Sequence, residues 1–434
     1  MRKQFSLENL IYFTILILPV YLIRLDVFGI PTNVLEILIL IIFIGWLLNF
    51  VGTGLKPVPT AYRKYIIPII LIFSGLIIST LVNKNYAVGA GIIKGWFFFP
   101  ILFFFLTSQI IEKEKIANVF LALYLSAFFV SLAGIFYLIS GTLTYDGRLQ
   151  AFFNSPNYLA MYLAPALIML TQVLRPRRIS LWLKNQKSPP KADQPLAEKI
   201  IFLGSGLIIL TAFYFTYSYA AWIAVVLSLV AVSVIKNKQF VKNKTIVALL
   251  LMIILLFIAQ LNSEKLLNLK NYNRSSLDSR MMIWRSAEKM LEENWVFGIG
   301  SGNFQKKYLE NQKYYPPYLE WAVPHPHNLY LAFWLSGGII GLVGFLWLLI
   351  LWFKDIMSAV YPHTKIITAI SVNKYQKNIN SNLNYKDTVD FGVGVKFIAF
   401  GIMAYILIHG IADTTYFKND LAIIFWLNFL ALKT

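Results

Sequence analysis

The chain has 434 residues, 58% of them hydrophobic and only 14% charged, where a soluble domain carries roughly 25% charged residues. That balance excludes a water-dissolved globular enzyme and describes a protein solvated by lipid. The net charge of +19 marks basic loops on one side of a membrane, and in a chain this apolar nucleic acid is not an expected partner. The absence of cysteine excludes disulfides and thiolate metal sites.

A helix needs about twenty apolar residues to cross the hydrocarbon layer, and runs of that order predict an all-α integral membrane fold of about twelve spans. They fall at 7–24, 34–51, 65–82, 88–107, 116–139, 157–174, 200–217, 219–235, 245–261, 328–353, 395–411 and 419–432. The first follows a basic start but no small-residue cleavage site, so it reads as a retained span. The seventh and eighth are joined only by "TYSYAAW". Lysine and arginine crowd the loops "GTGLKPVPTAYRK", "SQIIEKEK" and "KNKQFVKNK", whereas "DVFGIPTNV", "NKNYAVG" and "DTTYFKND" carry few. That asymmetry predicts both termini on the cytoplasmic side of the membrane. Three parts follow: a bundle over 1–261 with a basic inner linker at 175–199, a large outer loop at 262–327 that is partly helical, and spans over 328–434 with an inner linker at 354–394.

The polar residues of the spans and outer loops come next, in chain order. Arg24 and Asp26, at the end of the first span, are placed to pair with each other. Lys94, in "GIIKGWFFF", lies about 9 Å below the outer end of its span at 1.5 Å per residue. It either snorkels outward or lines a polar cavity. Arg148 stands in the outer segment "SGTLTYDGRLQAFFNSPN", otherwise poor in charge, and Asn157 closes that segment as a cap or turn.

The outer loop contains "LDSRMMIWRSAEKMLEEN", with apolar Ile283, Ala287, Met290 and Leu291 at helical spacing. Asp278 or Ser279 can cap this helix, which puts Arg280 in its first turn and Trp284 one turn later on the same face. A guanidinium beside free helix N–H groups favours phosphate; a surface arginine at an interface is the alternative. The "GIGSGNF" stretch is not a dinucleotide loop, because that fingerprint follows a strand and opens a helix. It reads as a tight reversal between two loop helices.

Two of the four histidines stand together in "VPHPHN". His325 and His327, with Glu320, offer a weak metal pattern, and no metal or other cofactor is expected. A neutral imidazole at a membrane surface can take a proton from a hydroxyl near neutral pH. His327 is the better candidate, since Asn328 and the following helix can hold it; His325 reads as structural.

With these residues assembled, the chain resembles the O-antigen ligase and polymerase family of bacterial membrane glycosyltransferases. The resemblance rests on "SRMMIW", "NWVFGIGSGNF" and "PHNLYLAFWLSGGIIG". His327 and Asn328 are followed by nine residues to Gly338 and then, two residues on, by Gly341, which is the family's signature. "GRLQAFFNSPNYLAMYL" is similar to the family's Arg…Phe…Pro-Asn stretch and brings in Arg148 and Asn157. One departure is Tyr219, where many members carry an arginine for the donor. The resemblance implies a glycan donor on polyprenyl pyrophosphate, a glycan or lipid-core acceptor, membrane lipid as solvent, and lipopolysaccharide or polysaccharide assembly in the cell envelope. It implies catalytic roles for His327 and Arg280, and substrate binding by Arg148, Asn157, Lys94, Trp284 and Asn328.

Three rivals stand against this reading. A polymerase differs from a ligase only in its acceptor. A metal-dependent lipid-linked glycosyltransferase would need an acidic pair near Asp26. A transporter or flippase of lipid-linked glycans would show repeats and broken helices near the midplane.

Overall fold

The computed structural model describes residues 6–53, 60–173, 194–236, 276–311, 323–360 and 383–434. Helix α1 (Leu7–Leu16) is capped by Ser6, whose hydroxyl accepts the Asn9 N–H at 3.3 Å. It does not run on to residue 24. A 3₁₀ turn at Leu18–Leu22 takes over at Pro19, which lacks the N–H a continuing helix needs. The chain then forms a hairpin, β1 (Arg24–Val27) against β2 (Ile30–Asn33), with Arg24 opposite Asn33 and Asp26 opposite Pro31. Phe28 and Gly29 take positive φ of 54° and 78°, as a two-residue hairpin turn requires. The Asp26 carboxylate accepts the Gly29 N–H at 2.7 Å, so its role is to close this turn, where the sequence suggested a partner for Arg24.

Helices α2 (Val34–Thr53), α3 (Ile66–Val82), α4 (Tyr86–Ile110), α5 (Ile116–Ile139), α6 (Pro156–Val173), α7 (Gln194–Phe215) and α8 (Tyr219–Lys236) follow. The outer-loop region gives α9 (Ser276–Asn294) and α10 (Phe304–Asn311). The chain ends with α11 (Leu329–Val360), α12 (Leu383–His409) and α13 (Asn419–Leu427). An apolar helix thus occupies each expected span except 245–261, which lies outside the described residues. Four helices are long and apolar enough to cross a membrane by length and composition: Tyr86–Ile110, Lys113–Ile139, Tyr219–Lys236 and Leu329–Val360. With the shorter apolar helices around them, they describe a multi-pass membrane protein.

Glycines set how the site-bearing helix packs. A Cβ on Gly75 of α3 would lie 2.4 Å from both Gly337 O and Gly341 N of α11, so the two backbones touch where a side chain would hold them apart. One residue later, Gly338 breaks α11 with φ 61° and ψ −168°. The opened turn trades hydrogen bonds with the loop after α9: Ile299 N donates to Leu335 O at 2.8 Å, and Ile339 N donates to Val296 O at 3.0 Å. Gly298, Gly300 and Gly302 all have positive φ and make the reversal between α9 and α10. Below this seam, Phe333 and Phe345 stack at 3.8 Å beside Tyr416 and Phe417, fixing the loop before α13 against α11.

Which side of the membrane this face occupies is open to a labelling test, because the chain has no cysteine of its own. Tyr145, fully exposed in the segment before α6, is the position to use. A Tyr145→Cys variant is expected to react with an impermeant maleimide in intact cells; reaction only after lysis would invert the topology. Ser301 would not serve, since it is buried.

Candidate functional site

Three segments distant in sequence meet at Asp413, in the turn between α12 and α13. The carboxylate is 1% exposed, and its partners come from α6, α9 and the residues before α11.

His327 is the first of these. Its backbone has φ 46°, a conformation rare outside glycine, and its Nδ1 lies 3.1 Å from Asp413 Oδ1. A carboxylate can only accept, so Nδ1 carries a proton, and in the neutral ring Nε2 then keeps its lone pair. The geometry therefore leaves one ring nitrogen able to act as a base. The unusual backbone is held on both sides. Trp284 Nε1 of α9 donates to the His327 carbonyl at 3.4 Å. Asn328 caps α11, its Oδ1 accepting the N–H groups of Tyr330 and Leu331 at 3.0 Å each, while its Nδ2 donates to Ile411 O at 3.0 Å. Leu329 N adds a bond to Gly410 O at 2.6 Å. The Asn328 side chain thus stitches the histidine's helix to the aspartate's loop.

Arg280 reaches the same point from α9. Its Nε donates to Ala412 O at 2.7 Å and its guanidinium lies 3.9 Å from Asp413 Oδ2. The helix begins at Ser276, so Arg280 sits one turn inside it, where sequence capping signals had placed it in the first turn. Arg148 approaches through Asn157: its guanidinium donates to Asn157 Oδ1 at 2.8 Å, and Asn157 Nδ2 donates to Asp413 Oδ2 at 3.0 Å. Its Nε donates to Thr216 O at 2.8 Å, and Thr144 Oγ1 accepts its main-chain N–H at 2.9 Å. Ser218 also donates to Asn157 Oδ1, at 3.1 Å. Tyr219, standing where the family resemblance leads one to expect an arginine, opens α8 one residue after Ser218, with its ring edge-on to Trp222.

The charges are arranged unevenly. Burial alone would raise the Asp413 carboxyl, but the neighbouring His327 and its hydrogen bond, with His325 and His409, bring it well below the usual carboxylate range. Burial lowers the Arg148 guanidinium, with Asp146 opposing and Arg280 adding to the effect. Arg280 and His327 thus share one fixed carboxylate, while Arg148 reaches it through Asn157 and pairs with Asp146 at 3.8 Å. The site opens beside Arg148 on a cleft of about 460 Å³ lined by Thr144, Tyr145, Asp146, Gln150 and Asn154.

His325 is part of this cluster as well. Its ring lies 4.4 Å from that of His327, and its Nε2 is hydrogen-bonded to the Tyr158 hydroxyl at 2.7 Å. Burial lowers it to about 3, with the adjacent His327 ring and the cations Lys418 and Arg280 adding to the effect and Asp413 opposing it. The nitrogens of His325 and His327 and an Asp413 oxygen lie within 4.8 Å of one another, a spacing that could hold a metal ion. Both Asp413 oxygens already accept from His327, Asn157 or the Thr414 N–H, and two guanidiniums supply positive charge where a cation would sit. Glu320, the third ligand suggested by the sequence, lies outside the described residues.

Lys94 is not drawn into this group. In a π-helical turn of α4 (Ile93–Phe98) it forms an ion pair with buried Glu36 of α2 at 2.9 Å, and it also donates to Pro31 O. Asp413, Tyr158 and Lys418 carry parts of the site that sequence reasoning passed over. For Asp413 and Lys418 the only signal was topological, since "DTTYFKND" reads as a loop on the same side as Arg148, Arg280 and His327; Tyr158 offered only its place next to Asn157.

A search of curated proteins found no match to the chain. The family described as O-antigen ligase matches over residues 204–346, a stretch that includes Arg280, His327, Asn328, Gly338 and Gly341 but stops short of Asp413. Across residues 204–346, a third of its length, the chain is similar to the O-antigen ligase family.

Proposed function

We propose that the protein transfers a glycan from a polyprenyl diphosphate to an acceptor sugar hydroxyl, at the outer face of the cytoplasmic membrane and without a metal. The observation that carries this reading is the meeting of Arg280, Arg148 (through Asn157) and His327 at the buried carboxylate of Asp413. The acceptor oxygen attacks the anomeric carbon of the donor and its proton passes to His327 Nε2. The bond between that carbon and the diphosphate oxygen breaks, and the electron pair leaves with the lipid diphosphate. Arg280 and Arg148 stabilise the charge that accumulates there. Trp284 and Asn328 keep the imidazole in place, and Asp413 fixes its tautomer. The bundle over 1–261 supplies Arg148 and Asn157, the outer loop 262–327 supplies Arg280 and His327, and the part over 328–434 supplies Asp413. The acceptor is a further glycan repeat in a polymerase and a lipid core in a ligase.

The test uses the full chain in vesicles with a polyprenyl-diphosphate-linked glycan and an acceptor. Arg280→Ala is expected to slow transfer by about 10²–10³-fold, as loss of one fixed charge-stabilising donor does. His327→Ala should cost at least about 10²-fold through loss of the base. Both variants should remain at wild-type abundance in the membrane, and chelators should leave the rate unchanged. Wild-type transfer by both variants would refute the assignment, and loss of activity on chelation would refute the metal-free mechanism. In cells, deletion that removes the ladder of chain lengths identifies the polymerase; accumulation of full-length lipid-linked chains identifies the ligase.

A further inference from the structure

The loop that carries Asp413 also carries a cation the proposed reaction has not used. Lys418, just before α13, holds its ammonium 3.3 Å from the centre of the Tyr158 ring and 6.0 Å from that of Tyr21. It is partly buried, and among the described residues no carboxylate, carbonyl or hydroxyl oxygen accepts its N–H groups. Aromatic faces attract a cation but leave its three donors unfilled. Burying an ammonium in that state is costly unless an anion completes it.

The lysine is continuous with the site. Tyr158, on which it rests, follows Asn157 in sequence and bonds His325, whose ring lies against His327. Groups facing the ammonium are Asp420 beside it, Asp413 in its own loop, Arg24 of β1, Tyr21, Tyr158 and His325. The two acids are electrostatic neighbours, neither within ion-pair distance.

We propose that Lys418 is a third cation of the site and binds a phosphate of the donor's lipid diphosphate. This rests on the glycosyl-transfer reading given above. Lys418 supplies a point charge with three rotatable donors, complementing the planar guanidiniums of Arg280 and Arg148. Burial lowers the ammonium to about 8, with Asp420 and Asp413 opposing and Arg24 assisting. Its contribution is therefore full below that pH and is lost as pH rises through it.

The test titrates farnesyl diphosphate into the detergent-solubilised full chain and follows binding by calorimetry. Lys418→Met is expected to weaken binding by about 10- to 100-fold, the usual effect of removing a charged hydrogen-bond donor from an anion. Lys418→Arg should bind within about threefold of wild type at pH 7, and should lack the fall in affinity that wild type shows between pH 7 and 9. Thermal unfolding is measured for each variant. If Lys418→Met fails to fold, the comparison of the wild-type and Lys418→Arg pH profiles decides. Unchanged affinity in Lys418→Met, or identical pH profiles, overturns the proposal. If Arg280→Ala loses binding while Lys418→Met keeps it, only the lysine assignment falls. If Arg280→Ala also binds normally, the diphosphate reading of the whole site falls with it. Displacement of farnesyl diphosphate by equimolar phosphatidylglycerol would show a phospholipid headgroup site instead, and would likewise overturn the proposal.

Discussion

Asp413→Asn is expected to lower glycan transfer by about 10³–10⁴-fold, the loss seen when a carboxylate that orients a catalytic imidazole becomes an amide. The substitution keeps the shape of the side chain and changes what it can accept. An amide nitrogen facing His327 Nδ1 would force that nitrogen to be the acceptor and move the ring proton to Nε2, where it blocks the base. Asn157 Nδ2, which now donates to Asp413 Oδ2 at 3.0 Å, would meet an atom of altered character, and the chain of bonds through it to Arg148 would loosen. Arg280, 3.9 Å from the same oxygen, would lose its counter-charge. Three groups are disturbed at once, so the loss should exceed that of Arg280→Ala. The measurement is the transfer rate in vesicles, with thermal unfolding as the control for folding. A variant that folds and keeps a tenth of wild-type activity would show that Asp413 does not orient the base.

The second large effect concerns folding. Gly338→Ala is expected to destabilise the protein by about 3–5 kcal/mol, from a backbone region essentially closed to other residues and from overpacking. A Cβ at this position would lie 2.1 Å from Val296 O and 2.8 Å from the Phe297 carbonyl carbon. Neither atom can yield without breaking the exchange of hydrogen bonds between α11 and the loop after α9. Reduced membrane abundance and a lowered unfolding temperature are the expected readouts. The protein that remains should also have lost activity, because the same seam holds α9, and hence Arg280, beside His327. Wild-type stability in this variant would mean that the break in α11 is not needed for the fold.

Much of this architecture could be read from the chain because lipid makes the reading simple. Apolar runs long enough to span a bilayer have few alternative fates, and charges among them are scarce enough that Arg148 and Arg280 draw notice. The spacing from His327 to Gly338 and Gly341 was also plain, but its cause was not. Only the fold reveals that Gly338 opens a helix so that two backbones can bond to each other. Asp413 was missed because its importance comes from contacts across 86 and 256 residues, to His327 and Asn157, and from Arg280 on α9, and local pattern carries no such information. Lys94 was legible as a lysine inside a span; its partner Glu36 on another helix was not. The hairpin after α1 escaped notice because Phe28, in place of the usual asparagine or aspartate, hides a two-residue turn.

The imidazole of His325 has a consequence for the environment in which such a protein can work. A histidine in an unfolded chain picks up a proton near pH 6.5, while this ring holds off until about 3. Across that window the denatured form binds a proton the native form refuses, so each step toward acid favours unfolding. Below about pH 6.5 the folded chain should therefore become progressively easier to unfold, through a buried ring whose cost is independent of any substrate.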